Sequence, residues 1–80
     1  MTDELRTAST VVGVRQLTRA LRSDAVKAVF LALDADPYLT DPIRAMCAEK
    51  DVPVTEVAAM AELGAACGIS VGASACGILR

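Results

Sequence analysis

Arg15, Arg19 and Arg22 recur at i, i+4 and i+7, with Gln16 beside the first of them. At 3.6 residues per turn this spacing puts three guanidinium groups on one side of a helix. Val14, Leu17 and Leu21 fall on another side and suit a core. Each guanidinium is a planar fork of donors that matches phosphate oxygens or the O6/N7 edge of guanine, while the glutamine amide both donates and accepts. The helix opens at Gly13, directly after the β-branched run Thr10-Val11-Val12. Its first turn offers free backbone N–H groups and the positive end of a helix dipole, a favourable place for a phosphate. Periodicity alone favours a plainer reading, an arginine face turned to water.

Catalytic chemistry lacks its parts. The chain contains no histidine, so the commonest general base is missing. Asp34 and Asp36 precede Pro37 in what reads as a turn, where carboxylates cap helices or face solvent. Cys47, Cys67 and Cys76 are separated by 20 and 9 residues, with no Cys-x-x-Cys pair, and they read as simple buried thiols rather than a disulfide framework or zinc site. Neither Cys67 nor Cys76 has a basic sequence neighbour of the kind that activates a nucleophile. Gly72-Ala73-Ser74 lacks the lysine and glycine spacing of a phosphate loop. No enzymatic activity, cofactor or metal is expected.

The elements that must position the arginine face follow in order. A short helical turn is expected within residues 3–8 and a strand at residues 10–12, ahead of the Gly13–Arg22 helix. Val26 and the apolar run from Ala28 to Leu33 read as a central strand covered on both faces. Asp34-Ala35-Asp36-Pro37 ends it. The next helix is expected to start with Thr40 or Asp41 as N-cap and Pro42 in the first turn, and to bury Ile43, Met46 and Cys47. Val52–Val57 is a short strand that Pro53 assigns to an edge or a strand beginning. Ala58–Cys67 is a small-residue helix closed by Gly68 as C′ glycine. After the loop Ile69-Ser70-Val71-Gly72, residues 73–79 form a last strand. Alternation of this kind implies one α/β domain, residues 1–80: a three-layer α/β/α sandwich around four strands.

Composition bounds the partners. Apolar residues make up 54% of the chain but only Phe30 and Tyr38 are aromatic, so the core is aliphatic and little is left for stacking single-stranded bases. The net charge of −2 hides an asymmetry. Residues 13–27 carry four bases against one acid, whereas residues 34–62 carry seven acids against two bases. Fields are local over about 8–10 Å at ordinary salt, so a basic patch works on an acidic protein. No apolar run approaches the ~20 residues of a membrane span, and Met1-Thr2-Asp3-Glu4 is unlike a signal peptide. A cytoplasmic location and no membrane partner are expected.

Three blocks, read together, resemble one family: Gly13-Val14-Arg15-Gln16-Leu17-Thr18-Arg19-Ala20-Leu21, then Ala32-Leu33-Asp34-Ala35-Asp36-Pro37, then Glu62-Leu63-Gly64-Ala65-Ala66-Cys67-Gly68-Ile69-Ser70-Val71-Gly72-Ala73. In order and spacing they are similar to the ribosomal proteins that bind kink-turn RNA, above all their short bacterial relatives, over residues 8–79. The resemblance implies an α/β/α sandwich with a mixed four-stranded sheet. It also implies a ligand, a duplex RNA bent at a bulge that is flanked by sheared G·A pairs. By the same resemblance Arg15 and Gln16 read guanines in the widened major groove, Arg19 contacts phosphate and base, and Gly13 permits close backbone approach. Arg22 and Asp34 join the RNA-binding set, and Ile69, Ser70 and Val71 cap the flipped bulge nucleotides. A monomer bound to structured RNA is expected, with ribosomal RNA a candidate and no small-molecule substrate.

The chain departs from that pattern at four positions. Val14 stands where the family usually has threonine, Leu33 and Ala65 stand where relatives often carry lysine, and Ala58 lacks a capping group. The lost lysines imply weaker, less salt-tolerant binding than in more basic relatives. Together with the acidic total they motivate a second reading, a diverged member that keeps the scaffold for protein contacts.

Overall fold

The computed structural model describes residues 9–80. The helical turn expected within residues 3–8 lies outside them. The elements are β1 (Thr10–Val12), α1 (Val14–Arg22), β2 (Val26–Ala32), α2 (Pro37–Lys50), β3 (Val54–Val57), α3 (Met60–Ala66) and β4 (Ala75–Leu79). The strands form one mixed sheet in the order β1-β4-β2-β3, with β2 and β3 parallel and β4 antiparallel to both its neighbours. The expected sandwich is the observed one.

The three layers follow from side-chain alternation along the two central strands. Val29 and Leu31 of β2 and Ala75 of β4 meet Leu17 and Leu21 of α1 and Ile43 and Cys47 of α2. Phe30 and Ala32 of β2 and Cys76 and Ile78 of β4 face the other way, onto Leu63 and Ala66 of α3. A register shift between Val26 and Ala28 lets Val26 join Val29 on the α1/α2 face, although even spacing would send it to the opposite one. Gly77 lies beneath α1, where a Cβ would collide with the Leu17 side chain. The glycine lets the helix sit directly on the sheet.

Several boundaries differ from the sequence reading. The third strand and third helix start two residues later than expected, at Val54 and Met60, and that helix ends at Ala66 rather than Cys67. Three further shifts have clear causes or consequences. The second helix starts at Pro37 and not near Thr40 or Asp41: the Asp36 side chain accepts from Tyr38 N at 2.9 Å, and Pro37 occupies the first turn. Asp-Pro is itself a complete start signal, since the carboxylate satisfies an orphan N–H and proline needs none. Thr40 is therefore buried inside the helix, and Pro42 lies within it. Strand β2 stops at Ala32, which leaves Leu33 58% exposed. Strand β4 starts at Ala75, two residues later than expected. The edge position expected from Pro53 is that of β3, whose preceding Pro53 carbonyl accepts from Val29 N at 2.9 Å.

Each of the three helices among the described residues ends on a left-handed residue. Gly68 (φ +81) closes α3, as expected, Asp24 (φ +56) takes the same position after α1, and Asp51 (φ +57) is itself the C-cap of α2. After α1, Asp24 N and Ala25 N donate back to Leu21 O and Ala20 O, the paired bonds of a Schellman turn. Asp24 also holds Lys50 at 2.8 Å, and that bond keeps its carboxyl below the usual range. Asp51 makes no ion pair among the described residues. Replacing it by glycine removes the left-handed strain and is expected to raise stability by about 0.5–1 kcal/mol, read as a higher urea midpoint at unchanged m-value.

Candidate nucleic-acid interface

Gly13 is the joint between β1 and α1. Its φ of +105 lies where side chains are rarely tolerated, and a Cβ there would lie 2.6 Å from the Gln16 amide oxygen. The turn aims Gly13 N–H at the Ala75 carbonyl, 3.0 Å away, which brings the helix start beside the residues that lead into β4. The amphipathic pattern then sorts the faces of α1. Leu17 and Leu21 are buried, Val14 is half-buried, and Arg15, Gln16, Arg19 and Arg22 are exposed. Among the described residues none of the three arginines forms an ion pair, since the two pairs present are Arg44–Glu56 and Lys50–Asp24. Arg19 and Arg22 lie in the last turn, where positive charge also suits the helix dipole.

Arg15, Arg19 and Arg22 share a groove of about 510 Å³ with Val14, Thr18 and Leu39 of α2. Gln16 turns toward a second groove of about 390 Å³, lined also by Arg19 and Leu79. Arg19 borders both.

The loop after α3 is held by backbone. Gly68 N and Ile69 N donate to Ala65 O and Gly64 O, and Ala73 N donates to Met60 O, each at 3.0–3.1 Å. Gly64 makes this possible, because a Cβ there would overlap the Val71 carbonyl. With the loop backbone seated on α3, the side chains of Ile69, Ser70 and Val71 are exposed, Val71 at 68%. Exposed apolar groups on a fixed loop suit packing against extruded bases.

Asp34 serves a different geometry from the other predicted residues. Its carboxylate accepts from Met60 N at 2.7 Å and so caps α3, whose own N-cap residue, Ala59, has no side-chain acceptor. The capping group absent at Ala58 is thus supplied from the β2–α2 turn. Ser74 O accepts from Ala32 N at 3.0 Å, which binds the same turn region to the loop exit. The structure therefore joins the start of α1, the 69–72 loop and the turn at Asp34 through backbone, while Arg22 lies two helical turns along α1.

Sequence reading missed Leu39, Gly64 and the contact between Cys67 and Cys76. Leu39 had no readable partner, because the helix carrying it was expected to begin later. Gly64 had a signal, a glycine inside a helical run, which marks close backbone approach. The expectation of simple buried thiols holds for Cys47, whereas Cys67 is half-buried and its sulfur is 2.8 Å from that of Cys76. No group of three metal-ligating side chains occurs among the described residues, and no helix there is long and apolar enough to cross a membrane.

This fold and surface define a class. The chain belongs to the ribosomal protein L7Ae/L30e/S12e/Gadd45 family, whose model matches residues 2–80. It is 45% identical over 76 residues to an RNA-binding protein of Geobacillus sp., covering 95% of this chain and 93% of that one. It is 42% identical over 76 residues to the RNA-binding protein YbxF of Geobacillus stearothermophilus, with the same coverage. The Giardia lamblia 15.5kD RNA binding protein superposes with a TM-score of 0.88 at 22% identity, covering 99% of this chain and 67% of that one, a likeness of fold.

Two substitutions test how the loop is held. Gly64→Ala is expected to destabilise the fold by about 1–3 kcal/mol through overpacking and to speed amide exchange across residues 69–73. Asp34→Ala is expected to lose about 1 kcal/mol, of which Asp34→Asn recovers most, because asparagine also caps.

Proposed function

We propose that this protein is a non-catalytic, RNA-binding member of its family that recognises kink-turn RNA. The observation carrying this reading is the backbone bond from Gly13 N to Ala75 O, which holds the start of the arginine helix at the entry to β4, where the loop of exposed apolar residues ends. The names of its relatives, RNA-binding proteins of similar length, support RNA as the partner.

In this reading Arg15 and Gln16 meet guanine edges at the bend, where a sheared pair leaves O6 and N7 open to a bidentate fork. Arg19, between the two grooves, serves phosphate and base, and Arg22 extends the basic track along the backbone. Gly13 lets the RNA backbone approach the helix start. Ile69 and Val71 cover extruded bulge bases, with Ser70 free to hydrogen-bond a phosphate or ribose. Asp34 acts as a positioning residue, through Met60 N. The protein works as a monomer in the cytoplasm, with ribosomal RNA one candidate target.

Titration against a kink-turn RNA, and against the same RNA with its G·A pairs changed to Watson–Crick pairs, decides the reading. Selective binding to the first is expected, and equal affinity for both or no binding at low salt overturns it. Arg15→Ala should cost about 1–3 kcal/mol of binding. Arg19→Ala should weaken binding and flatten the salt slope by about 0.7–0.9. Arg44→Ala, whose guanidinium is held by Glu56 at 2.8 Å, should leave affinity nearly unchanged. With only two charged phosphate contacts, Arg19 and Arg22, affinity should fall about 7- to 12-fold between 50 and 200 mM salt.

A further inference from the structure

The sulfurs of Cys67 and Cys76 are 2.8 Å apart, inside ordinary contact distance for unbonded sulfur. Cys67 is the C-cap of α3, and its N–H is held by Leu63 O and Gly64 O at 3.0 and 3.1 Å. Cys76 is paired to Val12 on one side and Phe30 on the other, and its side chain points into the same core layer as α3. Both thiols thus hang from regular, hydrogen-bonded backbone and face each other. A disulfide of about 2.05 Å needs the sulfurs to close by only about 0.8 Å. Cys47 belongs to the opposite layer, against α1, and cannot join them.

We propose that Cys67 and Cys76 are a redox modification site, a reversible disulfide that closes residues 67–76 into a ring and clamps the loop of Ile69, Ser70 and Val71. Cys67 is the point of entry, because it is half-buried while Cys76 lies beneath it with no exposure. Burial first, and then the hydrogen bond with Cys67, push the Cys76 thiol up, so it serves as the second, resolving partner.

The oxidant is a low-molecular-weight disulfide of the glutathione type. The Cys67 thiolate attacks one of its sulfurs, forming a mixed disulfide and releasing one thiolate. Cys76 gives up its proton and attacks Cys67 Sγ, which breaks the mixed bond and releases the second thiol. Two protein thiols lose two protons and two electrons, and the reagent disulfide leaves as two thiols. Because the sulfurs already touch, oxidation preserves the loop's position and removes its freedom. That this also benefits RNA rests on the function proposed above, since an ordered loop costs less to bind.

The test equilibrates the full chain with reduced and oxidised glutathione, alkylates free thiols, and maps the linkage by mass. The expected product is a monomer with a Cys67–Cys76 bond and an alkylated Cys47, restored to three free thiols by dithiothreitol. Oxidation should slow amide exchange across residues 68–74 and raise the thermal midpoint by about 5 °C or more. Cys67→Ser should abolish both effects, and Cys47→Ala should keep them. Cys76→Ala provides a second check, and the half-buried position of Cys67 leaves the first usable should Cys76→Ala unfold. Three alkylatable thiols at every glutathione ratio, linkage through Cys47 or between chains, or an oxidised loop that exchanges as fast as the reduced one would overturn the proposal. These readouts contain no RNA, so they separate it from the proposed function. In the RNA arm, oxidised protein should bind the kink-turn at least as tightly as reduced protein, and lost binding after oxidation, with reduced protein still binding, counts against the clamp.

Discussion

Two adjacent peptide groups, those of Ser74 and Ala75, organise the interface. The Ser74 carbonyl accepts from Ala32 at the end of β2, and the Ala75 carbonyl accepts from Gly13 at the start of α1. The entry to β4 is thereby tied to both of the segments that flank it. Only a residue without a side chain turns from β1 into α1 at φ +105 while keeping its N–H on β4.

An acidic chain can present a basic surface because four of its acids are engaged elsewhere. Glu56 is taken by Arg44 and Asp24 by Lys50. Asp34 and Asp36 each accept from a backbone N–H at a helix start, Met60 and Tyr38 respectively. Negative charge at a helix N-terminus is offset by the dipole there. The arginines of α1 have no such partner among the described residues, and their field remains available to a ligand.

Most of the fold was legible in the sequence because hydrophobic periodicity and punctuation agreed. The doubly covered β2, the edge strand after Pro53 and the glycine stop at Gly68 each had a local cause. The second helix was misplaced because two start signals compete within six residues, and Asp36-Pro37 acts before Asp41-Pro42 can. At the site, the faces of α1 could be read from spacing, and the grouping of the three blocks came from family resemblance. The role of Asp34 could not be read, since a cap supplied across 26 residues leaves no trace in local pattern. The approach of Cys67 to Cys76 was hidden for the same reason: a separation of nine carries no known spacing, and only the packing of α3 on β4 brings the sulfurs together.

The seat of the loop on Gly64 separates two properties that proteins usually have to change together. Where residues 69–72 lie is set by carbonyls and N–H groups of α3 and by the missing side chain at Gly64. What those residues offer to a ligand is set by side chains that contribute little to holding the loop. Substitution at Ile69, Ser70 or Val71 can therefore alter the chemistry presented to a partner at small cost to the scaffold. The mount is fixed by backbone while the exposed side chains are free to vary, so the loop's position and its surface chemistry can be tuned apart from each other.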